Sequence, residues 1–409
     1  MHSVIVFLIA LVLFFVPFEG VAVFGDLGTV SRLVSYLVLF LSLMEFFRKK
    51  KHKPIPDSML MLLFFLFWAL LTLHWSVDLR LSIESMVTKS SLFLLLWCSW
   101  QYVSTRRDLY QLINGYILGC MVSLGMIFAV FRGAGFSDDS SDVRYAGGGL
   151  NQNNFAFVIT TGIALAFFLL NMDAVSRWRN RLSYLAFILF GSVGVILTGS
   201  RAGAMSLLVI FFFVVFHALI SKKKSAFLLL LIFIPTFCAA SLFIPQYLWA
   251  RVFEGSNSET FILRRDIWEA GIEVWKTSPF CGVGVGAFQA AITSGYLGFR
   301  VAHNTFLSVL VETGVVGLIL FLSVWGLLFR KMIVNQRSGL VDSQSKTINS
   351  LGLFLFFAWL PGACTLTLES DKITWIIFLV SIISSYGMIS STNRGAANIK
   401  ANCCRVNGQ

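Results

Sequence analysis

Along most of the chain, apolar residues run for about 18 to 22 positions, and short clusters of Arg, Lys, Asp, Gly or Pro separate the runs. Helices of that length cross the roughly 30 Å hydrocarbon core of a bilayer at about 1.5 Å per residue. Predicted spans are 3–24, 29–47, 58–76, 86–104, 108–131, 151–171, 183–199, 203–220, 226–244, 303–329, 348–368 and 372–391. Pro17 with Gly20 is expected to kink the first. No basic n-region precedes that span, so it is expected to be retained rather than cleaved as a signal peptide.

One long stretch, from Pro245 to Ala302, breaks the pattern. Within it, Phe261 to Lys276 has helical spacing and Pro279 stops it. Trp268, Ile272 and Trp275 fall at i, i+4 and i+7, so the helix is predicted to lie in the membrane interface on an apolar stripe. PFCGVGVGAF (279–288) is too rich in glycine for a helix and is predicted to loop back to the bilayer surface. The expected fold is therefore an all-α integral membrane protein of about twelve transmembrane helices. Nine lie in 1–244 and three in 303–391, with a long loop at 245–302 and a disordered tail at 392–409.

Composition agrees, since 57% hydrophobic and 13% charged residues exclude a soluble globular protein. The net charge of +12 would suggest nucleic acid in a soluble chain. Here most Lys and Arg fall in alternate loops, including RKKKHK (48–53), Arg106 with Arg107, the Arg177, Arg179 and Arg181 run, KKK (222–224), Arg330 with Lys331, and the tail. The positive-inside rule makes those loops and both termini cytoplasmic, so 245–302 is an exoplasmic or periplasmic loop and no nucleic-acid partner is expected. Shorter outer loops are predicted at 77–85, 132–150, 198–203 and 368–372. The seven cysteines have neither metal nor disulfide spacing. No Walker loop, carboxylate pair or metal-ligand cluster stands out, so no metal and no cofactor is expected.

Of five histidines, only His74 and His303 fall outside. His303 ends the long loop, and its neutral imidazole can accept a proton, although a histidine at a helix end is often only interfacial. Asn304 stands beside it at the mouth of the helix. Glu312 lies about 13 Å deeper on an ideal helix and half a turn away, so it cannot pair with His303. It is either functional or a structural hydrogen-bond partner. Gly314 and Gly317 suggest close helix packing.

The outer basic residues are mostly arginine, the residue suited to bidentate phosphate contacts. Arg201, in the turn TGSRAG, must snorkel or meet an anion. Arg264 shares the Trp268 and Trp275 face, whereas Arg265 aligns with Glu269 and Glu273 in an ion-pair ladder and is the reserve candidate. Arg144 precedes YAGGGLNQNNFAF, whose Asn151, Asn153 and Asn154 either cap the next helix or bind sugar hydroxyls.

TGSRAG (198–203), RRDIWEAGIEVWKTSPFCGVGVGAF (264–288) and HNTFLSVLVETGVVG (303–317), in that order, make the chain resemble the O-antigen ligase family, which is related to O-antigen polymerases and O-oligosaccharyltransferases. The resemblance implies a glycosyltransferase of the class C type, independent of metal and ATP, at the bacterial inner membrane. Its donor would be an undecaprenyl diphosphate-linked glycan and its acceptor lipid A-core. It carries the family's site arginines onto Arg201 and Arg264, with Arg265 left open by the doublet, and its histidine onto His303. A length of 409 without a large C-terminal extension favours the ligase over protein-modifying relatives. A polymerase is the nearest alternative, and a transporter or lipid flippase the alternative of another class.

Overall fold

The computed structural model describes residues 1–25, 28–48, 52–133, 144–170, 178–221, 237–238, 242, 244–253, 259–292, 300–338, 341 and 343–387. Among these residues the chain is helical, with only an isolated bridge between Val23 and Thr29 outside that class. In order, the helices are α1 (His2–Phe15), α2 (Val30–Arg48), α3 (Asp57–Leu71), α4 (Leu79–Tyr102), α5 (Arg106–Gly133), α6 (Gln152–Leu170), α7 (Trp178–Leu197) and α8 (Arg201–Ser221). There follow α9 (Gln246–Phe253), α10 (Glu259–Thr277), α11 (Phe288–Ala291), α12 (Thr305–Arg337), α13 (Ser343–Ala363) and α14 (Lys372–Ile382), which runs on as a π turn to Gly387.

Six helices among the described residues, α2 to α6 and α12, are long and apolar enough to cross a membrane, counting with α3 its 3₁₀ extension to Trp75. Shorter apolar helices include α1, α7, α8 and α14. Predicted span 226–244 lies largely outside the described residues, as do most of loop 132–150 and all of the tail 392–409. Helix α6 is apolar on every face and buried at nearly every position, as expected of a central helix, and it packs against α5, α7, α8 and α13. Phe40, Phe47 and Phe212 point outward, which is where a bilayer would solvate them.

Several predicted boundaries move. Helix α1 stops at Phe15, and Pro17 stands in a 3₁₀ turn (Val16–Phe18) rather than at a kink within a longer helix. Helix α4 begins seven residues before the predicted span, because Asp78 caps it by accepting from the Leu81 N–H at 3.0 Å and an Arg80–Glu84 pair makes its first turns soluble. The long polar segment opens on a short helix, α9, that packs on α7 and α8. In α10 the inward line is Leu263, Ile267, Gly271 and Val274, of which Ile267 and Gly271 are buried, and Trp268 and Trp275 flank it. Ile272 is off that line and 41% exposed, contrary to the predicted stripe.

The largest departure is in α12. Gly314 has φ 68° and ψ −174°, so the helix is broken there and Gly314 is not simply a packing contact. The glycine-rich return fills the break. The Val283 and Gly284 N–H groups donate to the carbonyls of Val311 (3.0 Å) and Glu312 (2.9 Å), and the Val315 N–H donates to Pro279 O (2.9 Å). The Trp68 indole donates to Thr313 O at 2.8 Å. The loop thus enters the break in the helix itself, and Gly317 alone keeps the predicted packing role, against Trp68. A Cβ on Gly314 would stand 2.1 Å from Phe280 O. Gly314→Ala should therefore lower stability by about 1–3 kcal/mol from the positive φ alone, and by more from the clash. Thermal unfolding of the detergent-purified variant against wild type measures this.

Candidate active site

The TGSRAG turn is built by Gly199, whose φ of 58° ends α7, and by Ser200, which caps α8 by accepting from the Gly203 N–H at 3.3 Å. Arg201 is thereby the first residue of α8, half-buried, where the helix dipole and the guanidinium carry the same sign. Arg144 donates to Thr198 O and Asn153 Oδ1, each at 2.9 Å, so it braces this turn against the start of α6. Asn151 caps α6 by accepting from the Asn154 N–H at 2.9 Å. Arg144 and the asparagines thus have local structural work.

Arg264 and Arg265 point different ways. Arg265 is 60% exposed and lies 3.7 Å from Glu269, as its spacing predicts, and 3.8 Å from Asp266, whereas Glu273 pairs with Lys276 instead. Arg264 is turned inward, and its Nε is buried with no hydrogen-bond partner among the described residues. Burial lowers its pKa, and the charge of Arg201 lowers it further. One turn along the same face, the Trp268 indole donates to Ala302 O at 2.8 Å, which locks α10 to the residue before His303.

His303 has φ 49°, the left-handed region that a non-glycine residue enters only when its surroundings impose it. Its N–H donates to Thr367 Oγ1 at 3.0 Å. Next to it, the Thr305 hydroxyl donates to Leu366 O (2.8 Å) and accepts from the Leu368 N–H (2.9 Å). Asn304 is the N-cap of α12, accepting from the Phe306 and Leu307 N–H groups at 3.0 and 3.1 Å. Burial, then the charges of Arg264 and Arg300, push the imidazole down to about 4. Arg201, Arg264, His303 and Arg300 therefore form one electrostatic cluster, of which Arg300 escaped the sequence reading. His74 is exposed in the 3₁₀ turn after α3.

Beneath this cluster, Glu312 is 4% exposed and belongs to a second group. Its Oε2 accepts from the Gly286 N–H at 2.7 Å, and Ser308 Oγ lies 3.2 Å from Glu312 Oε1 and 3.3 Å from Glu369 Oε1. Burial raises the Glu369 carboxyl, and the nearby Lys89 charge opposes it. Lys89 itself is 1% exposed and donates to Ser85 Oγ (2.7 Å) and Ser370 Oγ (2.6 Å). Glu312 thus ties the glycine return to α12 rather than reaching His303. Lys89 was legible as an ionisable residue inside an apolar run, whereas its pairing with residues 312 and 369 was not.

Removing the cation while the two acids remain should be costly. Lys89→Met is expected to lose about 3–5 kcal/mol, the cost of stranding a buried charge. Adding Glu369→Gln should recover part of it, as read from the melting temperatures of both variants in detergent.

Residues 185–322 match the sequence profile of the family described as O-Antigen ligase. The chain is also 31% identical over 140 residues to the exopolysaccharide production protein ExoQ of Rhizobium meliloti (strain 1021), a match that covers 29% of this chain and 32% of that protein. The profile spans Arg201, Arg264, His303 and Gly314, while Lys89 and Glu369 lie outside it. Residues 185–322, with their arginine and histidine cluster and their broken helix, are thus the part of the chain that is similar to the O-antigen ligase family.

Proposed function

We propose that the protein is an O-antigen ligase, which transfers a glycan from undecaprenyl diphosphate to a sugar hydroxyl of lipid A-core. The observation that carries this reading is the buried, unpartnered Nε of Arg264 beside Arg201 and a neutral His303. Cations packed together in a partly dehydrated site call for an anion between them, and a diphosphate supplies it. The active site would face the periplasm from a bundle of about twelve spans, with both termini cytoplasmic. The arrangement of a first membrane part (1–244), a loop (245–302), a second membrane part (303–391) and a tail belongs to the same reading.

In the reaction, the bond between the anomeric carbon and the diphosphate oxygen breaks as the acceptor oxygen bonds to that carbon from the opposite face, inverting it. His303 takes the acceptor hydroxyl proton. Arg201 at the α8 N-terminus and Arg264 hold the charge that accumulates on the departing diphosphate. No nucleotide or metal is required, because the diphosphate is already a leaving group once its charge is balanced. Arg265, held by Glu269 and Asp266, takes no part.

A second reading, a polymerase that joins repeats on the lipid carrier, is favoured by the similarity to an exopolysaccharide production protein. A deletion strain separates the two. Loss of a ligase leaves long polymer on the carrier and bare core on the gel, whereas loss of a polymerase leaves core bearing a single repeat.

For the site itself, Arg264→Ala should slow transfer roughly 10²–10³-fold and His303→Ala roughly 10²–10⁴-fold. Arg265→Ala should be unchanged, as followed by the mass shift of core lipid in reconstituted vesicles. Equal losses at 264 and 265 would sink the assignment. The pH dependence has a definite sign. Because the pKa of His303 is lowered from 6.5 to about 4 in the free protein, kcat/KM should show no loss from its protonation through pH 6.5 and should fall only as pH approaches 4. A drop centred near 6.5 would mean that the imidazole is solvated.

A further inference from the structure

Helices α1, α2, α4 and α14 enclose a slot of about 220 Å³ that is separate from the arginine and histidine cluster. Its walls are apolar along most of their length, with Leu92, Leu96 and Ile376 among them. One end is polar. Arg32 and Tyr36 stand there one turn apart on α2, with Lys372 at the start of α14. Lys372 donates to Glu19 Oε2 and, at 2.9 Å, to Ser31 Oγ, so its charge is balanced within the protein. Arg32 is exposed. Glu19 pairs with Lys372, the carboxyl of Asp371 lies close to both, and Arg32 brings a further cation to the exposed edge of this end.

The dimensions select the ligand. On α4 the slot runs from Val87 to Ser99, about 18 Å at 1.5 Å per residue. That is close to half of the roughly 30 Å hydrocarbon core, the depth of one leaflet. The slot is partly open, so its volume of about 220 Å³ seats a single chain on one side, with the rest of that chain against the surrounding bilayer. Its charged end is also the end that carries His303, since Lys372 follows by five residues the Thr367 that holds the His303 N–H.

We propose that this slot binds one acyl chain of an anionic glycerophospholipid, with the lipid phosphate on Arg32. The depth of a single leaflet fits an acyl chain and is shorter than a polyprenyl chain would need. None of the cluster residues Arg201, Arg264, Arg300 and His303 lines it, so the lipid is not the donor in its reactive position. A guanidinium gives the phosphate a charge-assisted contact, and the tyrosine beside it suits the headgroup level.

The test is native mass spectrometry of the full chain in neutral detergent, with equimolar phosphatidylglycerol, phosphatidylethanolamine and undecaprenyl phosphate added. Phosphatidylglycerol should be retained in preference, as a single bound lipid. Arg32→Glu should reduce its retention roughly tenfold, and Arg32→Lys should keep most of it. Ser91 is an exposed position of the slot wall, so Ser91→Trp should block the slot without touching Arg32 and should also release the lipid. Melting temperatures of all variants accompany the spectra, and if Arg32→Glu does not fold, the Ser91→Trp result decides. Equal retention of the two phospholipids, retention unaffected by the substitutions, or displacement by undecaprenyl phosphate at equal concentration would each overturn the proposal. None of these outcomes depends on whether the protein proves to be a ligase or a polymerase.

Discussion

A helix in hydrocarbon has to satisfy its own backbone, yet α12 is broken at Gly314 in the middle of an apolar run. The break is sustainable only because other groups meet the carbonyls of residues 311 to 313 and the N–H of Val315, namely the glycine-rich return and the Trp68 indole. Much of the remaining structure follows from that exchange. The return has to follow a narrow path, so its glycines take positive φ at 282, 284 and 286. Val285 and Val77 tie the same loop to the end of α3 and the approach to α4, through Thr72 Oγ1 at 3.0 Å and Val283 O at 3.0 Å. Helix α10 leads directly into this loop, so the orientation of Arg264 depends on a hydrogen-bond exchange that is well separated from it in sequence.

Charge is arranged in two adjacent zones at one end of the bundle. The upper zone is cationic, nothing among the described residues hydrogen-bonds the Nε of Arg264, and burial together with the charges of Arg264 and Arg300 keeps His303 neutral. The lower zone holds two carboxylates and one lysine, all nearly excluded from solvent. The hydroxyl of Ser308 lies within reach of both acids, but it has one proton and can donate to only one of them at a time. The loop from Leu366 to Ser370 borders both zones, since Thr367 supports His303 while Glu369 and Ser370 meet Ser308 and Lys89. A buried charge group of this kind fixes geometry more than it adds stability, because desolvation offsets most of the attraction.

The family profile covers the cation cluster and the broken helix, but not the helix that supplies Lys89 or the loop that supplies Glu369. The motifs therefore include the candidate site and leave out the buried residues beneath it. The separation of Arg264 from Arg265 was available from helical spacing, because ion-pair partners at i+4 hold only Arg265 outward. The exposure of Ile272 was not. An apolar residue beside two tryptophans looks like part of their stripe until the close approach of Phe288 to Gly271 shows which face is buried.

By itself, the sequence determined the all-helical membrane class, the places of most helices, the asparagine cap at the start of α6 and a set of candidate site residues. Those features depend on local quantities such as run length, capping geometry and charge spacing along one helix. Only the tertiary structure decided that Gly314 breaks a helix instead of packing one, that Glu312 accepts from the Gly286 N–H of the glycine-rich return, and that Lys89 belongs with two acids far along the chain. Each of these is settled by which distant group satisfies a buried polar atom, and hydrophobic pattern carries no information about partners brought together from opposite ends of the sequence.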